Sequence, residues 1–144
     1  LLMKRAAHKT IAPGYWFGVG GHVEPQEINH PQLACEREIQ EEAGIKKDEI
    51  SNLKHRYIIF NKDEKEVVIN HIFTGEINTR NVKPNNEGSL HWVPRDQVLD
   101  KTFIPAIREV LRHYLSEPCP DTLIGIVQQT EPLVFWYPLQ GLNR

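Results

Sequence analysis

The stretch REIQEEAG, residues 37–44, carries three glutamates: Glu38, Glu41 and Glu42. On an α-helix, positions i, i+3 and i+4 share one face, so the three carboxylates point the same way. Like charges at this spacing disfavour a helix by roughly 0.2–0.5 kcal/mol per pair, so a purely structural helix has no reason to gather them. Hard divalent cations such as Mg²⁺ and Mn²⁺ prefer carboxylate oxygen. The pattern therefore predicts a metal site on this helix face, with a solvated acidic face as the alternative.

The helix that carries these glutamates is predicted over residues 31–43, PQLACEREIQEEA. The segment is rich in strong helix formers, a proline suits its first turn, and Gly44 stands where a C-cap is needed. Arg37 lies four residues before Glu41, a spacing at which its guanidinium can orient that carboxylate by a charge-assisted hydrogen bond. The side opposite the glutamates is expected to pack, because it carries small and apolar residues at four-residue steps: Cys35, Ile39 and Ala43.

The composition of the whole chain is that of a globular protein. Its 144 residues are 40% hydrophobic and 25% charged, and a chain of this length can bury a core without disulfide or metal staples. We therefore expect one domain over residues 1–144. Because the first residues, LLMKR, read as the middle of a strand, the N-terminal strand is expected to be incomplete.

Charge and hydropathy exclude several classes of protein. The formal net charge is -2, so the chain as a whole lacks the basic footprint that duplex nucleic acid selects. No apolar run approaches the roughly 18 residues that a membrane span needs, and no signal-peptide pattern is present. The sequence therefore predicts a cytoplasmic protein that binds neither duplex nucleic acid nor a membrane.

Strand and helix patterns alternate along the chain. Runs rich in β-branched and aromatic residues predict strands at 1–5, 15–23, 54–61, 66–78, 89–93, 122–127 and 133–137. A second helix is predicted around 104–116, where four apolar residues at three- and four-residue spacing define one buried face: Ile104, Ile107, Leu111 and Leu115. This order of elements predicts a mixed sheet with helices packed on it, in the α/β or α+β class.

A second motif lies just before the first helix, where residues 20–27 read GGHVEPQE. Together the two segments resemble the Nudix box, in which a glycine, a glutamate six residues later and the pattern REUxEExGU, with U apolar, occur in order. The matching residues are Gly21, Glu27, Arg37, Glu38, Ile39, Glu41, Glu42, Gly44 and Ile45. The family pattern has seven residues between the first glutamate and the arginine, whereas this chain has nine, INHPQLACE. The extra pair is expected to lengthen the loop around residues 29–30, which leaves the role of Glu27 open.

The resemblance implies a mixed β-sheet sandwiched between α-helices, with the box forming a loop, a helix and a loop. It implies that the three helix glutamates bind Mg²⁺ or Mn²⁺ and that the Gly20 carbonyl is a further ligand. Arg37 would orient a carboxylate, and the site would be supported from behind by Gly21, Glu27 and Gly44. Members of the family differ in whether the general base lies in the box or on a later loop. Glu87, in the sequence NNEG, is our candidate for the later acid, with a solvated loop glutamate as the alternative.

The resemblance also implies the reaction, which is metal-dependent hydrolysis of a diphosphate linkage. A diphosphate repels a nucleophile, so metal ions must screen its oxygens and activate the water, while a carboxylate takes the proton. The run YWFGVGGHVEP, residues 15–25, resembles the corresponding strand of members that cleave nucleoside triphosphates, including oxidised purine nucleotides. We therefore expect such a nucleotide as substrate, similar to 8-oxo-dGTP, with a monophosphate and pyrophosphate as products.

Three alternatives remain open at the level of the sequence. The first keeps the chemistry but changes the substrate to a nucleotide sugar, a dinucleotide or a coenzyme. The second is a Nudix-like nucleotide-binding module without turnover, although such modules usually lose box glutamates and this chain has them all. The third, an isomerase acting on an isoprenoid diphosphate, is disfavoured because no cysteine is placed to support that chemistry.

Contacts to the substrate are expected from aromatic residues and one histidine. Four residues are candidates for stacking on a nucleobase, with core packing as the alternative: Tyr15, Trp16, Phe17 and Trp92. Such stacking contributes roughly 1–3 kcal/mol per base. His22 is a candidate contact for a phosphate or leaving group, with a structural histidine as the alternative. The apolar tail at 133–137 is expected to be a core strand, the alternative being an edge through which two chains form a homodimer.

Overall fold

The structure is a computed structural model that describes residues 1–62, 65–83, 85–116, 121–131 and 133–139. Its main elements, in chain order, are β1 (Leu2–Arg5), β2 (Trp16–Phe17), α1 (Pro31–Ala43), β3 (Ile50–Lys62), β4 (Val67–Ile77), β5 (Gly88–His91), α2 (Pro105–Ser116), β6 (Leu123–Val127) and β7 (Val134–Pro138). Short 3₁₀ helices span Pro25–Glu27, Lys47–Glu49 and Arg95–Asp100. The chain divides into two compact units, the first made of Leu1–Leu53 with Gly75–Ile104 and the second of Lys54–Thr74 with Pro105–Arg144.

The strands β2, β1 and β5 form an antiparallel sheet in the first unit. Residues that stand directly opposite each other in such a sheet share a face. Met3 stands opposite Phe17 and is only 3% exposed, so their face of the sheet is packed. Lys4 stands opposite Trp16. Because neighbouring residues of a strand alternate, Trp16 and Phe17 project from opposite faces of this sheet.

The strand predicted at 15–23 is wrong in its length. The structure pairs only Trp16–Phe17, and the following residues up to Glu24 have no regular structure. The three glycines in that segment disfavour a strand, since glycine loses much backbone entropy on folding and has no side chain to pack. Two of them approach α1 instead: the Gly20 N–H donates to its last turn, and Gly21 lies against one of its carboxylates.

The first helix is confirmed with its predicted bounds, Pro31–Ala43. Gly44 follows in the left-handed region with a φ of 71°, and its N–H donates to Gln40 O at 3.0 Å. A side chain would strain that backbone conformation, which is why glycine suits the end of this helix. The predicted C-cap is therefore confirmed as well.

The predicted packing face of α1 is confirmed only in part. Ala43 is fully buried, but Cys35 is half-buried, and burial raises the pKa of its thiol to about 11. Glu36, which we did not expect in the interior, is 8% exposed. Its carboxylate accepts hydrogen bonds from Gln32 Nε2 at 2.8 Å and from Lys47 Nζ at 2.7 Å. A buried charge is tolerated there because it is paired and hydrogen-bonded.

A second sheet has the strand order β4, β3, β6, β7. In it β3 runs parallel to β6, and β6 runs antiparallel to β7, so the sheet is mixed. The core of the second unit consists of Tyr57, Ile59 and Val110. Val110 is the buried residue of α2, whereas the four residues predicted to form its buried face are only partly buried: Ile104, Ile107, Leu111 and Leu115. Val110 is three residues after Ile107, so it lies on the predicted face, and the helix and its apolar face are confirmed, although the burial centres on a residue outside the predicted set.

The fold class is confirmed as mixed α and β, with two sheets and a few helices. The strands predicted in the middle and at the end of the chain are observed as β3, β4, β6 and β7, with shifted ends. The strand predicted at 89–93 starts one residue earlier and ends at His91. Within the described residues, no helix combines the length and the apolar character that crossing a membrane requires.

Candidate active site

The position of Glu38 depends on the glycine of the upstream loop. A Cβ added at Gly21 would stand 2.5 Å from the Cδ atom and from both carboxylate oxygens of Glu38. Since real Cβ atoms do not approach other atoms so closely, any residue other than glycine would displace this carboxylate. The Glu38 side chain is 14% exposed. Gly21 therefore determines where the Glu38 carboxylate can lie.

Arg37 connects the upstream loop with the glutamates of α1. Its Nε and Nη2 donate to the two carboxylate oxygens of Glu27, both at 3.0 Å, and Nη2 also donates to His22 O at 2.9 Å. Its Nη1 donates to Glu38 Oε1 at 2.7 Å and to Glu41 Oε2 at 3.2 Å. The hydrogen bonds that Arg37 donates to Glu27 and Glu38 raise the pKa of its guanidinium. The predicted contact between Arg37 and Glu41 is thus present, and the same Nη1 group also donates to Glu38.

Glu27 meets Arg37 even though the chain between them is two residues longer than in the family pattern. Glu27 is 8% exposed. Besides the two hydrogen bonds from the Arg37 guanidinium, it accepts the Glu24 N–H on Oε2 at 3.0 Å. The hydrogen bond from Arg37, followed by that from Glu24, lowers the pKa of Glu27. His30 N–H donates to Glu27 O at 2.7 Å, so the longer segment turns before the helix begins. The added residues leave the Glu27–Arg37 pair intact.

Glu42 is a half-buried carboxylate with an excess of negative charge around it. Its Oε2 accepts the N–H of Gly20 at 2.9 Å. Burial raises the pKa of Glu42, and the negative charges of Glu38 and Glu87 raise it further. The Gly20 N–H and the charge of Arg5 act in the opposite direction without cancelling that rise. A cation beside Glu42 would therefore be stabilised by the charges already there.

The three helix glutamates fit a divalent cation by their chemistry. Within the described residues, no three acidic, histidine or cysteine side chains already converge as a metal cage. Glu41, whose side chain is 59% exposed, and Glu38 both point to Arg37. Nevertheless all three side chains are carboxylates, whose oxygens Mg²⁺ and Mn²⁺ prefer, and the half-buried Glu42 lies near the further negative charges of Glu38 and Glu87. The residues therefore suit a hard cation.

Glu87, on the loop before β5, is close enough to Glu42 to raise its pKa. Lys9 Nζ donates to Glu87 Oε1 at 2.5 Å, and Arg5 Nη1 lies 3.5 Å from Oε2. The hydrogen bond from Lys9 is the main reason that the pKa of Glu87 is lowered, and the positive charges of Lys9 and Arg5 add to it. The predicted later acid thus lies beside the glutamate helix, held in its ionised form.

Asn85 joins the loop of Glu87 to the end of α1. Its Nδ2 donates to Glu42 O at 2.7 Å, and its Oδ1 accepts the Glu87 N–H at 2.8 Å. The same oxygen accepts the next N–H of the loop at 3.0 Å. Lys83 N–H donates to Ala43 O at 2.9 Å. Because the last carbonyls of a helix have no partner within the helix, this loop satisfies two of them.

The sequence profile of the NUDIX domain matches residues 1–114, which is most of the chain. The chain belongs to the Nudix hydrolase family. Nudix proteins generally use divalent metals and act on nucleotide-like diphosphates. The motif on α1 and in the loop before it is therefore a Nudix box, with the two added residues between Glu27 and Arg37.

Two solved structures show that the Nudix fold extends over most of this chain. A mutator MutT protein from Bacillus halodurans superposes with a TM-score of 0.60 at 22% identity, covering 94% of this chain and 86% of that protein. A MutT protein from Methanosarcina mazei Go1 superposes with a TM-score of 0.61 at 24% identity, covering 77% of this chain and 78% of that one. At these identities the similarity establishes the fold.

The predicted substrate contacts of this Nudix chain lie on different sides of the first sheet. Phe17 stands opposite Met3, and strand alternation puts it on the face of Arg5, whose guanidinium lies beside Glu87. Trp16 lies on the other face, where Lys101 Nζ stands 5.6 Å from the centre of its ring. The structure thus brings Phe17, and not Trp16, to the side of the sheet that carries the acidic loop.

The remaining candidates contribute mainly through other contacts. His22 is exposed and bonds Arg37 through its backbone oxygen. Tyr15 accepts the Arg5 N–H on its backbone oxygen at 2.9 Å. Trp92 is 38% exposed, and its Nε1 donates to Arg80 O at 3.1 Å.

Three residues that contact Glu87 or the end of α1 were not predicted from the sequence: Arg5, Lys9 and Asn85. Lys9 and Glu87 are 78 positions apart, so no local pattern links them. Asn85 reads as an ordinary turn residue, since asparagine is common in turns for reasons of its own. The sequence did offer a partial signal in Arg5 and Lys9, at the end of the first strand and just after it, because positively charged side chains are needed to bind a phosphate substrate.

Proposed function

We propose that this Nudix protein hydrolyses a diphosphate linkage of a nucleotide with Mg²⁺ or Mn²⁺. The observation that carries the proposal is the placement of the Glu42 carboxylate. It is half-buried, its Oε2 accepts the Gly20 N–H at 2.9 Å, and Glu38 and Glu87 add negative charge around it. Gathering these negative charges costs free energy, which a bound cation would offset.

The proposed ligands are the glutamates of α1 with one backbone carbonyl: Glu38, Glu41, Glu42 and Gly20. When bound, the metal supplies charge to screen the phosphate oxygens and makes a water molecule more acidic. Gly21 leaves the space in which the Glu38 carboxylate lies. Arg37 holds the upstream loop to the helix through Glu27. It also donates hydrogen bonds to the carboxylates of Glu38 and Glu41, which orients them. Gly44 ends the helix after the last ligand.

Glu87 is the proposed general base, which accepts a proton at its carboxylate from the attacking water. The water oxygen bonds to phosphorus, the bridging P–O bond breaks, and the leaving phosphate departs with that electron pair. A general base must be ionised, as a glutamate ordinarily is at neutral pH. The hydrogen bond from Lys9 lowers the pKa of Glu87, which favours the ionised form but also makes it a weaker base. Lys9 and Arg5 can also neutralise phosphate oxygens of the substrate.

The proposed substrate is a nucleoside triphosphate or an oxidised purine nucleotide, cleaved to a monophosphate and pyrophosphate. Its support is the resemblance of residues 15–25 to members with such substrates, together with the place of Phe17 on the face of Arg5. Nucleotide sugars, dinucleotides and coenzymes are the second candidates, since they carry the same linkage. A binding module without turnover is disfavoured, because the box glutamates and Glu87 are all present.

The test is release of phosphate or pyrophosphate from a panel of these substrates with Mg²⁺, with Mn²⁺ and with a chelator. We expect metal-dependent turnover of a nucleoside triphosphate or an oxidised purine nucleotide. Turnover of another class alone would replace the proposed substrate and keep the proposed chemistry. No turnover of any substrate, with metal still bound, would overturn the hydrolase and support the binding module.

We propose two further features of the domain organisation and assembly of the chain. The first is that residues 1–144 form one Nudix domain, supported by the family match over residues 1–114. The second concerns β7, which we expect first as a core strand; its alternative role, as an edge that joins two chains in a homodimer, is supported by Phe135 and Tyr137, which are 43% and 50% exposed. Light scattering of the purified protein separates a monomer from a dimer. A cytoplasmic location stays a prediction from the sequence.

A further inference from the structure

Asn85 uses both ends of its side-chain amide to join two parts of the site. Nδ2 holds the Glu42 carbonyl at the end of the ligand-bearing helix, and Oδ1 holds the backbone N–H groups of Glu87 and Gly88. We propose that Asn85 is a positioning residue that fixes the Glu87 loop relative to the metal-binding helix. This inference rests on the proposed function, because it assigns Asn85 a part in bringing base and metal ligands together.

The amide of asparagine suits this place for a chemical reason. One planar group must present an acceptor to two N–H groups and a donor to a helix carbonyl, and a side-chain amide offers both. A carboxylate at residue 85 would keep the acceptor and lose the donor. A misplacement of the order of 1 Å between reacting groups can lower a rate by about 10²-fold, so a single link of this kind can affect turnover.

The loop has further anchors that should let it fold without the Asn85 side chain. Lys83 N–H donates to Ala43 O at 2.9 Å, which holds the start of the loop to the end of α1. Gly88 pairs with Arg5 in the sheet, and a Cβ there would collide with the Lys4 backbone oxygen, so the end of the loop is pressed on β1. Loss of the amide should therefore loosen the segment between these anchors and leave the fold intact.

Hydrogen exchange of the Glu87 and Gly88 amides, followed by NMR, measures this positioning without any turnover. We expect Asn85→Ala to exchange both amides at least about tenfold faster than the wild type, since their acceptor is gone. Asn85→Asp should keep both amides protected. The control is Asn86→Ala, because Asn86 is exposed, adjacent and of the same type. Unchanged exchange in Asn85→Ala would overturn the proposal.

Steady-state kinetics then test whether the positioning acts through Glu87. We expect Asn85→Ala to lower kcat about 10- to 100-fold with little change in KM, as for other residues that orient groups of a metal site. In Glu87→Gln, which has already lost the base, adding Asn85→Ala should cost little more, because both changes remove the same function. Asn86→Ala should keep wild-type kinetics.

The outcomes separate this proposal from the proposed function. The positioning role would be overturned if Asn85→Ala kept full activity, or if it lowered kcat by the same factor in Glu87→Gln as in the wild type. Either result would leave the hydrolase in place. Full activity of Glu87→Gln would remove the base through which Asn85 is said to act, and the proposal with it. Absence of turnover in the wild type would overturn the proposed function, and the exchange rates would still decide whether Asn85 fixes the loop.

Discussion

The two compact units of the chain use charge in different ways. In the first unit, Glu27 and Glu36 are buried carboxylates, and each is paired with a cation, Arg37 and Lys47 respectively. In the described part of the second unit, the buried core is uncharged: Tyr57, Ile59 and Val110. The one polar atom in that core, the Tyr57 hydroxyl, is 3.0 Å from a histidine nitrogen.

This difference indicates that the first unit adds buried, paired charge to an apolar core of its own, whereas the described core of the second unit is held by apolar packing. A buried charge is tolerated only when it is paired, so the first unit contains connected ion pairs. A close-packed core tolerates little change in volume, so the second unit is sensitive to added atoms. The same kind of substitution should therefore reduce activity in one unit and stability in the other.

Removal of a ligand charge should give the largest effect. Glu41→Gln keeps the shape of a side chain that is 59% exposed, so circular dichroism and the unfolding midpoint should stay those of the wild type. Because a metal contributes several kcal/mol to such a reaction, kcat/KM should fall by about 10²- to 10⁴-fold. The matched control is Glu109→Gln on α2, which removes the same charge in the second unit and should leave activity intact. Wild-type turnover of Glu41→Gln would contradict the metal site.

A methyl group at Gly21 should reduce activity more than stability. In Gly21→Ala the new Cβ would displace the carboxylate of Glu38, which is the mobile end of a side chain and can move aside. We expect turnover to fall about 10- to 100-fold, as when the orientation of a metal ligand is disturbed. Kinetics and thermal unfolding of the same sample give both quantities. A stability loss without an activity loss would show that Gly21 serves the fold instead.

The same methyl group at Gly125 should do the opposite. A Cβ at Gly125 would stand 2.6 Å from Ile59 Cδ1 and 2.9 Å from Trp136 Cζ3, both in the packed interior of the second unit. Overpacking of this kind destabilises a protein by about 1–3 kcal/mol. Gly125→Ala should therefore lower the free energy of unfolding in urea while keeping kcat where the protein is folded. A loss of kcat in the folded variant would break the contrast between the units.

A pair of histidines should make stability depend weakly on pH. His55 Nε2 and His71 Nδ1 are 3.2 Å apart, and burial lowers the pKa of both below the ordinary 6.5, with the charge of His71 lowering that of His55 further. Around and below that pH the unfolded chain binds more protons than the folded one, so stability is complete above about pH 6.5 and falls as pH drops. The unfolding midpoint should decrease on acidification, and less so in His71→Asn. Equal slopes for both proteins would remove this pair as the cause.

Local signals allowed the helix of the site to be predicted from sequence. The bounds of α1 and the left-handed Gly44 follow from helix formers, a first-turn proline and a C-terminal glycine, all of which act within a few residues. The common face of the glutamates follows from helical spacing alone. The two extra residues before the helix left the role of Glu27 open in the sequence. In the structure Glu27 still meets Arg37, because the longer segment turns before α1 begins.

Contacts between distant segments could not be predicted. The links of Asn85 to Glu42 and of Lys9 to Glu87 join loops far apart in the chain, so no spacing reveals them. Strand alternation alone separates Trp16 from Phe17, but which face each side chain takes depends on register, and a one-residue shift would exchange them. On α2 the regular apolar spacing predicted the buried face, but the depth of each residue depends on tertiary packing, which buries Val110 most.

The most direct test of the account is binding of Mn²⁺ to the wild type and to Glu42→Gln, measured by electron paramagnetic resonance without substrate. If the box glutamates hold the cation, the wild type binds Mn²⁺, Mg²⁺ displaces it, and Glu42→Gln binds it at least about tenfold more weakly. Gly125→Ala, altered only in the second unit, should bind it as the wild type does. Equal binding by the wild type and Glu42→Gln would contradict the claim that these charges form the metal site.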